Sequence, residues 1–257
     1  MVSVTFADLL KFSQIDYLHP CGFSISRRSL ELIGVDAHRY FLDVGSGKGA
    51  TAIYAASEFG TMTLGVEKDP FLVKLARKTS IDKNMLKMAE FRFQDFTDTN
   101  FQDGLFDGAL LENVLSTTAK WEIMLTETLR VTKRGNVVLH DYFVEDALAP
   151  KDLAVLKQVL GVKTLLTLKD LKKLLSAHKK NNLVIEDWSG VDNFKKIIEQ
   201  RNASRLIDIF DFKQKLLLVA KFLITNPFII FKIKKSMQTI ETYLATGKLK
   251  YYLVKVA

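Results

Sequence analysis

The stretch Phe41-Leu42-Asp43-Val44-Gly45-Ser46-Gly47-Lys48-Gly49 decides the fold. With Tyr40 it opens as a short apolar run, which predicts a buried strand over 40–44. Three glycines at alternate positions follow, and then a helical pattern through residue 58. A glycine loop between strand and helix lets the backbone approach a ligand closely, and the helix start behind it offers free N–H groups. The spacing is G-x-G-x-G. The dinucleotide pattern G-x-G-x-x-G fits poorly, because its third glycine would fall on Ala50. Asp43, two residues before Gly45, adds a carboxylate able to accept from an ammonium or an ordered water.

Outward from this loop, short apolar runs alternate with helical segments, the pattern of a parallel sheet with helices on both faces. Strands are predicted over 61–66, 89–93, 106–111, 136–139, 183–188 and 251–256. Helices are predicted over 70–84, 121–131 and 167–180. Residues 190–248 read as almost wholly helical. Within them Ile229, Ile233, Met237, Ile240 and Leu244 recur at spacings of three and four, marking one buried face. The expectation is one domain over 1–257, with a lid segment over 1–30 and a helical cap inserted over 190–248.

Acidic residues mark the strand ends. Glu67 closes the second strand, where a carboxylate can bind both hydroxyls of a ribose, and Lys68 beside it joins the candidate binding set. Asp95 follows the third strand. Its carboxylate can accept from an adenine amino group while the backbone N–H of Phe96 meets a ring nitrogen. Alone, Asp95 equally suits a turn or a helix cap. Together with Asp43 and Glu67 it falls on the ligand-binding edge of an open α/β sheet.

The glycine stretch resembles the first motif of class I S-adenosylmethionine-dependent methyltransferases. Glu67, Asp95-Phe96 and Arg130-Val131-Thr132-Lys133-Arg134-Gly135 fall where later motifs of that superfamily fall. The resemblance covers about residues 17–188 plus the last strand. It implies a Rossmann-like doubly wound α/β fold, seven strands in the order 3-2-1-4-5-7-6, the last antiparallel. It also implies S-adenosylmethionine as cofactor, held by Asp43, Gly45, Gly47, Gly49, Glu67, Lys68, Asp95 and Phe96.

A narrower resemblance lies upstream. Leu18-His19-Pro20-Cys21-Gly22 is similar to the His-Pro-Gly-Gly segment of a set of small-molecule methyltransferases, and phosphoethanolamine methyltransferases carry a comparable glycine-containing segment. The resemblance implies that Leu18 and His19 close over the methionine end of the cofactor, with Tyr17 nearby. Cys21 stands where glycine is usual. Glu112, in Leu111-Glu112-Asn113-Val114-Leu115-Ser116, matches a position at which relatives contact the cofactor. Ser116 stands where phosphoethanolamine methyltransferases have histidine, so their tyrosine–histidine pair is incomplete. Tyr17 and His140 are the candidate catalytic residues. His140, in His140-Asp141-Tyr142, is expected at the end of the fifth strand, facing the pocket as a general base or serving only as a structural histidine.

Composition narrows the partners. The 257 residues include a single cysteine, Cys21, which excludes an internal disulfide or a multi-cysteine metal site; no metal is expected, and a reducing, cytoplasmic compartment is. No signal peptide is expected from the first residues. The most apolar stretch, 216–231, is broken by Lys221, Asn226 and Pro227, which argues against a transmembrane span. Residues 151–257 hold 21 of the 37 lysines and arginines and 9 of the 29 acidic residues, so they carry +12 against −4 for residues 1–150. A small-molecule acceptor is the leading expectation; the charge suggests an anionic one, or else only a solvated face around an apolar helix pair. An RNA- or protein-directed methyltransferase using the basic part stays open, as does a non-catalytic cofactor-binding protein.

Overall fold

The computed structural model describes residues 13, 15–17, 19–190, 192–193 and 229–256, and of 229–234 the backbone alone. The elements run α1 (Phe23–Ile33), β1 (Tyr40–Val44), α2 (Ala50–Phe59), β2 (Met62–Glu67), α3 (Pro70–Asp82), β3 (Ala89–Phe93) and β4 (Gly108–Glu112). There follow α4 (Trp121–Val131), β5 (Val137–Val144), α5 (Pro150–Leu160), α6 (Leu168–Ala177), β6 (Leu183–Asp187), α7 (Ile229–Ala245) and β7 (Leu249–Val256). The seven strands form one sheet in the order β3-β2-β1-β4-β5-β7-β6. The first five pair in parallel, and β7 runs antiparallel between β5 and β6. This is the topology that the glycine motif implied.

The central strands are buried on both faces, as a sheet covered by helices on each side requires. Phe41, Leu110, Val138 and Leu253 pack into one layer with Ile25 and Leu30 of α1, Leu156 of α5 and Ile240 of α7. Their strand neighbours Leu42, Leu111, Leu139 and Val254 point the other way, against Leu125 and Leu129 of α4 and Leu171 and Leu175 of α6. Each such side chain, fully buried, contributes about 1.5–3 kcal/mol. Local signals set the helix ends: Asp69 caps α3 through Phe71 N with Pro70 at the first turn, and Thr167 caps α6 through Asp170 N.

Three sequence expectations need correction. The fourth strand begins at Gly108, because Phe106 bridges Thr132 beyond the regular pairing. The fifth runs to Val144, since β7 pairs with it along its whole length, from Val137↔Val256 to Val144↔Leu249. His140 therefore lies in mid-strand. Helices α1 and α5 were not anticipated, and α1 buries Ile25, Ser26, Ser29 and Leu30 of the expected lid. Of the expected cap, α7 is described. It packs on α5 through Met237, Ile240 and Leu244, with Tyr243 Oη donating to Asp152 at 2.7 Å. Residues 194–228, including Lys195, Lys196, Arg201, Arg205 and the Asn226-Pro227 step, lie outside the described residues. No helix among the described residues is long and apolar enough to cross a membrane.

Candidate active site

The glycine loop is clamped to the neighbouring strand, with Gly45 N and Ser46 N both donating to Val66 O at 2.7 and 3.1 Å. Gly45, Gly47 and Gly49 all adopt positive φ. Gly49 also answers a packing demand: a Cβ there would come within 2.5 Å of the Phe91 ring and 2.9 Å of Ala76. Its absence lets α2 sit close against β3 and α3. Asp43 is fully buried and accepts the backbone N–H of Ala52 in the first turn of α2, so it anchors the loop from behind. Burial, with Glu112 and Glu67 adding to it, pushes its carboxyl well above the usual range.

A cavity of about 320 Å³ opens at the carboxyl ends of the parallel strands. Tyr17, His19, Gly45, Gly47, Glu67, Lys68, Asp95, Phe96 and Glu112 line it, together with Ser46, Leu72, Asn113, Val114 and Met124. Of the other sequence candidates, Asp43, Gly49 and His140 stand behind the lining, and Leu18 lies outside the described residues. Asp43 meets the start of α2 and Gly49 packs against Phe91, so both support the wall from behind.

Glu67 holds the loop from the cavity side, accepting Gly47 N at 3.1 Å and Asp69 N at 2.9 Å. Burial raises its pKa. The backbone N–H of Lys68 also donates to it. A carboxylate has about four lone-pair sites, so one stays available to a hydroxyl donor. Asp95 Oδ1 accepts both the N–H and the hydroxyl of Thr97, at 2.9 Å each, which holds its pKa down. It is thus a turn residue, and it also lines the cavity. Two buried polar atoms of the lining, Ser46 Oγ and Asn113 Oδ1, have no hydrogen-bond partner among the described residues. An occupant with polar edges would satisfy them.

The floor of the cavity is a buried polar network that joins the sequence candidates Glu112, His19 and His140 to Thr51, Ser26 and Tyr251, which sequence reading missed. Glu112 Oε2 accepts from Thr51 Oγ1 at 2.6 Å, and Glu112 Oε1 lies 3.1 Å from His140 Nε2. The other ring nitrogen of His140 is 2.8 Å from Tyr251 Oη. His19 stacks edge-on against His140, its Nε2 3.5 Å from Glu112 and 3.1 Å from Ser26 Oγ. Burial alone would raise the Glu112 carboxyl, but the two imidazoles hold it well below the usual range, so it stays ionised. Burial lowers His140 to about 4, leaving a neutral imidazole. His140 is fully buried and stands behind the lining, in contact with Glu112 and His19, which both line the cavity. Ligand atoms of His19, Glu112 and His140 lie within 4.8 Å of one another, a spacing open to a metal ion, although each already takes part in the hydrogen bonding described.

The amino-terminal segment roofs this floor. Lys48 Nζ donates to Ser13 O and Ile15 O at 2.7 and 2.8 Å, tying the segment to the glycine loop. Tyr17 is half-buried with its ring 5.9 Å from His19 and 5.6 Å from Phe23. Burial and then Glu112 raise its phenol, so it keeps its proton. Cys21 adopts φ 68, the left-handed region that favours glycine, as the glycine of the related segments suggests. Its N–H donates to Asn193 O at 3.0 Å and its Sγ approaches Trp188 O at 3.8 Å.

A seven-stranded sheet with this strand order, a glycine loop after β1 and acids at the ends of β2 and β3 defines the class I methyltransferase fold. Residues 36–204 match the family described as a methyltransferase domain, and the chain belongs to that family, whose methyl donor is S-adenosylmethionine. Among curated relatives, demethylmenaquinone methyltransferase of Tropheryma whipplei is 30% identical over 186 residues, 68% of this chain and 70% of that protein. Norajmaline N-methyltransferase of Rauvolfia serpentina is 24% identical over 158 residues, 58% of this chain, which spans 54% of that protein's length. Among solved structures, phosphoethanolamine N-methyltransferase 2 of Haemonchus contortus, in complex with phosphomonomethylethanolamine and S-adenosylhomocysteine, superposes with a TM-score of 0.77. It is 18% identical, covering 99% of this chain and 58% of that one.

Proposed function

We propose that this chain transfers the methyl group of S-adenosylmethionine to a small-molecule acceptor carrying anionic groups. The observation that carries the reading is the convergence of the glycine loop, Glu67 and Asp95-Phe96 on one cavity of about 320 Å³ that ends at Glu112. The donor set fits the cofactor. Glu67 has acceptor capacity left for a ribose hydroxyl, and Asp95 with the backbone of Phe96 suits an adenine edge. Val66, Leu72 and Phe96 offer an apolar wall, and the ionised Glu112 suits a cationic methionine end. When bound, S-adenosylmethionine supplies a methyl group on a sulfonium, already activated toward in-line displacement.

The chain's own part is then positioning and exclusion of water. Tyr17, protonated and at the cavity wall, donates a hydrogen bond rather than acting as a phenolate base. His140 is a neutral ring behind Glu112, so its contribution passes through that carboxylate. The anionic acceptor rests on the +12 charge of residues 151–257 beside a −4 amino-terminal part.

Incubation with methyl-labelled S-adenosylmethionine and fractionated cell extract tests the proposal. Label appearing in a small anionic metabolite supports it, and the kcat/KM for that acceptor should fall as salt rises. Label confined to RNA or protein, or absent from every fraction, refutes it.

A further inference from the structure

Resting on the methyl-transfer reading, we propose that Tyr251 and His140 act as a positioning pair that locks the Glu112 carboxylate at the floor of the cofactor cavity. The three residues come from β7, β5 and β4, adjacent in the sheet, with Glu112 and His140 in register. Tyr251 and His140 are both buried. An ionised carboxylate only accepts, so the hydrogen between Glu112 Oε1 and His140 Nε2 belongs to the histidine. A neutral ring then has a lone pair at Nδ1, and the Tyr251 hydroxyl donates to it across 2.8 Å. Thr51 donates to the second carboxylate oxygen.

Every atom of this chain thus has one role, and the tautomer of His140 follows from the donor count. The consequence is directional. With Oε1 tied by His140 and Oε2 by Thr51 and His19, the plane of the carboxylate is fixed, and the lone pair left on Oε1 is presented to whatever occupies the cavity. Tyr251 gives this arrangement its direction, because without its hydroxyl the ring is free to carry its proton on Nδ1 and leave Oε1 without a donor. Ligand atoms of His19, Glu112 and His140 could be read as a metal triad, but a metal ion would have to displace the proton that His140 donates to Glu112.

Two measurements test the pair. Nitrogen-15 spectra of histidine-labelled protein without cofactor should show His140 as the neutral Nε2–H tautomer, and Tyr251→Phe should lose that preference. An Nδ1–H tautomer in the wild type overturns the proposal. Calorimetric titration of S-adenosylmethionine should give His140→Gln, whose amide N–H replaces the ring donor, an affinity within a few-fold of wild type. His140→Leu should bind about tenfold or more weakly, the loss expected for a hydrogen bond to a charged group. A role in packing alone would make Leu at least as good as Gln in this buried position, in stability and in affinity alike. Equal affinities for Gln and Leu, or zinc stabilisation of the wild type that His140→Gln abolishes, overturn the proposal while leaving methyl transfer intact. Failure of the wild type to bind the cofactor, with the Nε2–H tautomer present, removes the methyl-transfer reading and the positioning role with it.

Discussion

His140 donates from Nε2 to Glu112 Oε1 across 3.1 Å, between residues that face each other in register on neighbouring parallel strands. The pair keeps a neutral ring and a charged carboxylate side by side, out of water. This has a consequence for acid stability. Burial lowers His140 from 6.5 to about 4, so between those values the unfolded chain binds a proton that the folded protein does not. Stability is fully retained above pH 6.5 and falls as the pH drops toward 4, by up to about 3 kcal/mol from this group. The adjacent Asp141 acts in the opposite sense. Burial raises it to about 6, so its contribution is present at low pH and lost as the pH rises through 6. The two oppose each other over the same window. His140→Gln should unmask Asp141, so that the variant gains stability relative to wild type as the pH falls from 7 to 4.5. Denaturant unfolding at the two pH values checks it, and a pH-independent difference would contradict a buried neutral His140.

Glu67 and Asp95 should divide recognition of the cofactor. Glu67→Gln removes the charge and should weaken binding of S-adenosylmethionine by about 1–3 kcal/mol, the range for charge-assisted hydrogen bonds. Asp95→Asn should have a smaller effect, because Thr97 already shares its Oδ1. Its loss should concern the adenine. Wild type should bind an analogue without the adenine amino group more weakly than S-adenosylmethionine, and Asp95→Asn should narrow that gap. Calorimetric titration of both ligands into the three proteins gives the comparison.

Cys21 trades backbone strain against a buried side chain. Its left-handed φ costs about 1 kcal/mol, and glycine would relieve that while giving up a side chain only 1% exposed. Cys21→Gly should therefore stay within about 1 kcal/mol of wild type. Cys21→Val, β-branched at a positive φ, should lose about 2 kcal/mol or more. Thermal unfolding of the two variants distinguishes them, and equal losses would place the cost in side-chain packing rather than in the backbone.

The parts of the molecule legible in the sequence are those whose signals are local. The run from Phe41 to Gly49 carries strand, turn and helix start within nine residues, and Glu67 and Asp95 each sit beside an apolar strand. Glu112 and His140 were candidates from the sequence, but the contacts that join them across the cavity floor were illegible for the opposite reason. Thr51, Glu112, His140 and Tyr251 come from four elements, and only the sheet order brings them together. The same polar residues hid the length of β5, because His140 and Asp141 interrupt an apolar run that is in fact buried throughout. Helix α1 escaped notice because its buried face has few apolar residues, Ile25, Leu30 and Ile33, beside Ser26 and Ser29.

The most direct test of the central claim is calorimetric titration of S-adenosylmethionine into the wild type and into Gly47→Val. One molecule should bind per wild-type chain, and the folded variant should lose that binding, because Gly47 lines the cavity at a positive φ that valine resists. Unchanged affinity in a folded Gly47→Val variant, or no binding by the wild type, would contradict a cofactor site at the glycine loop.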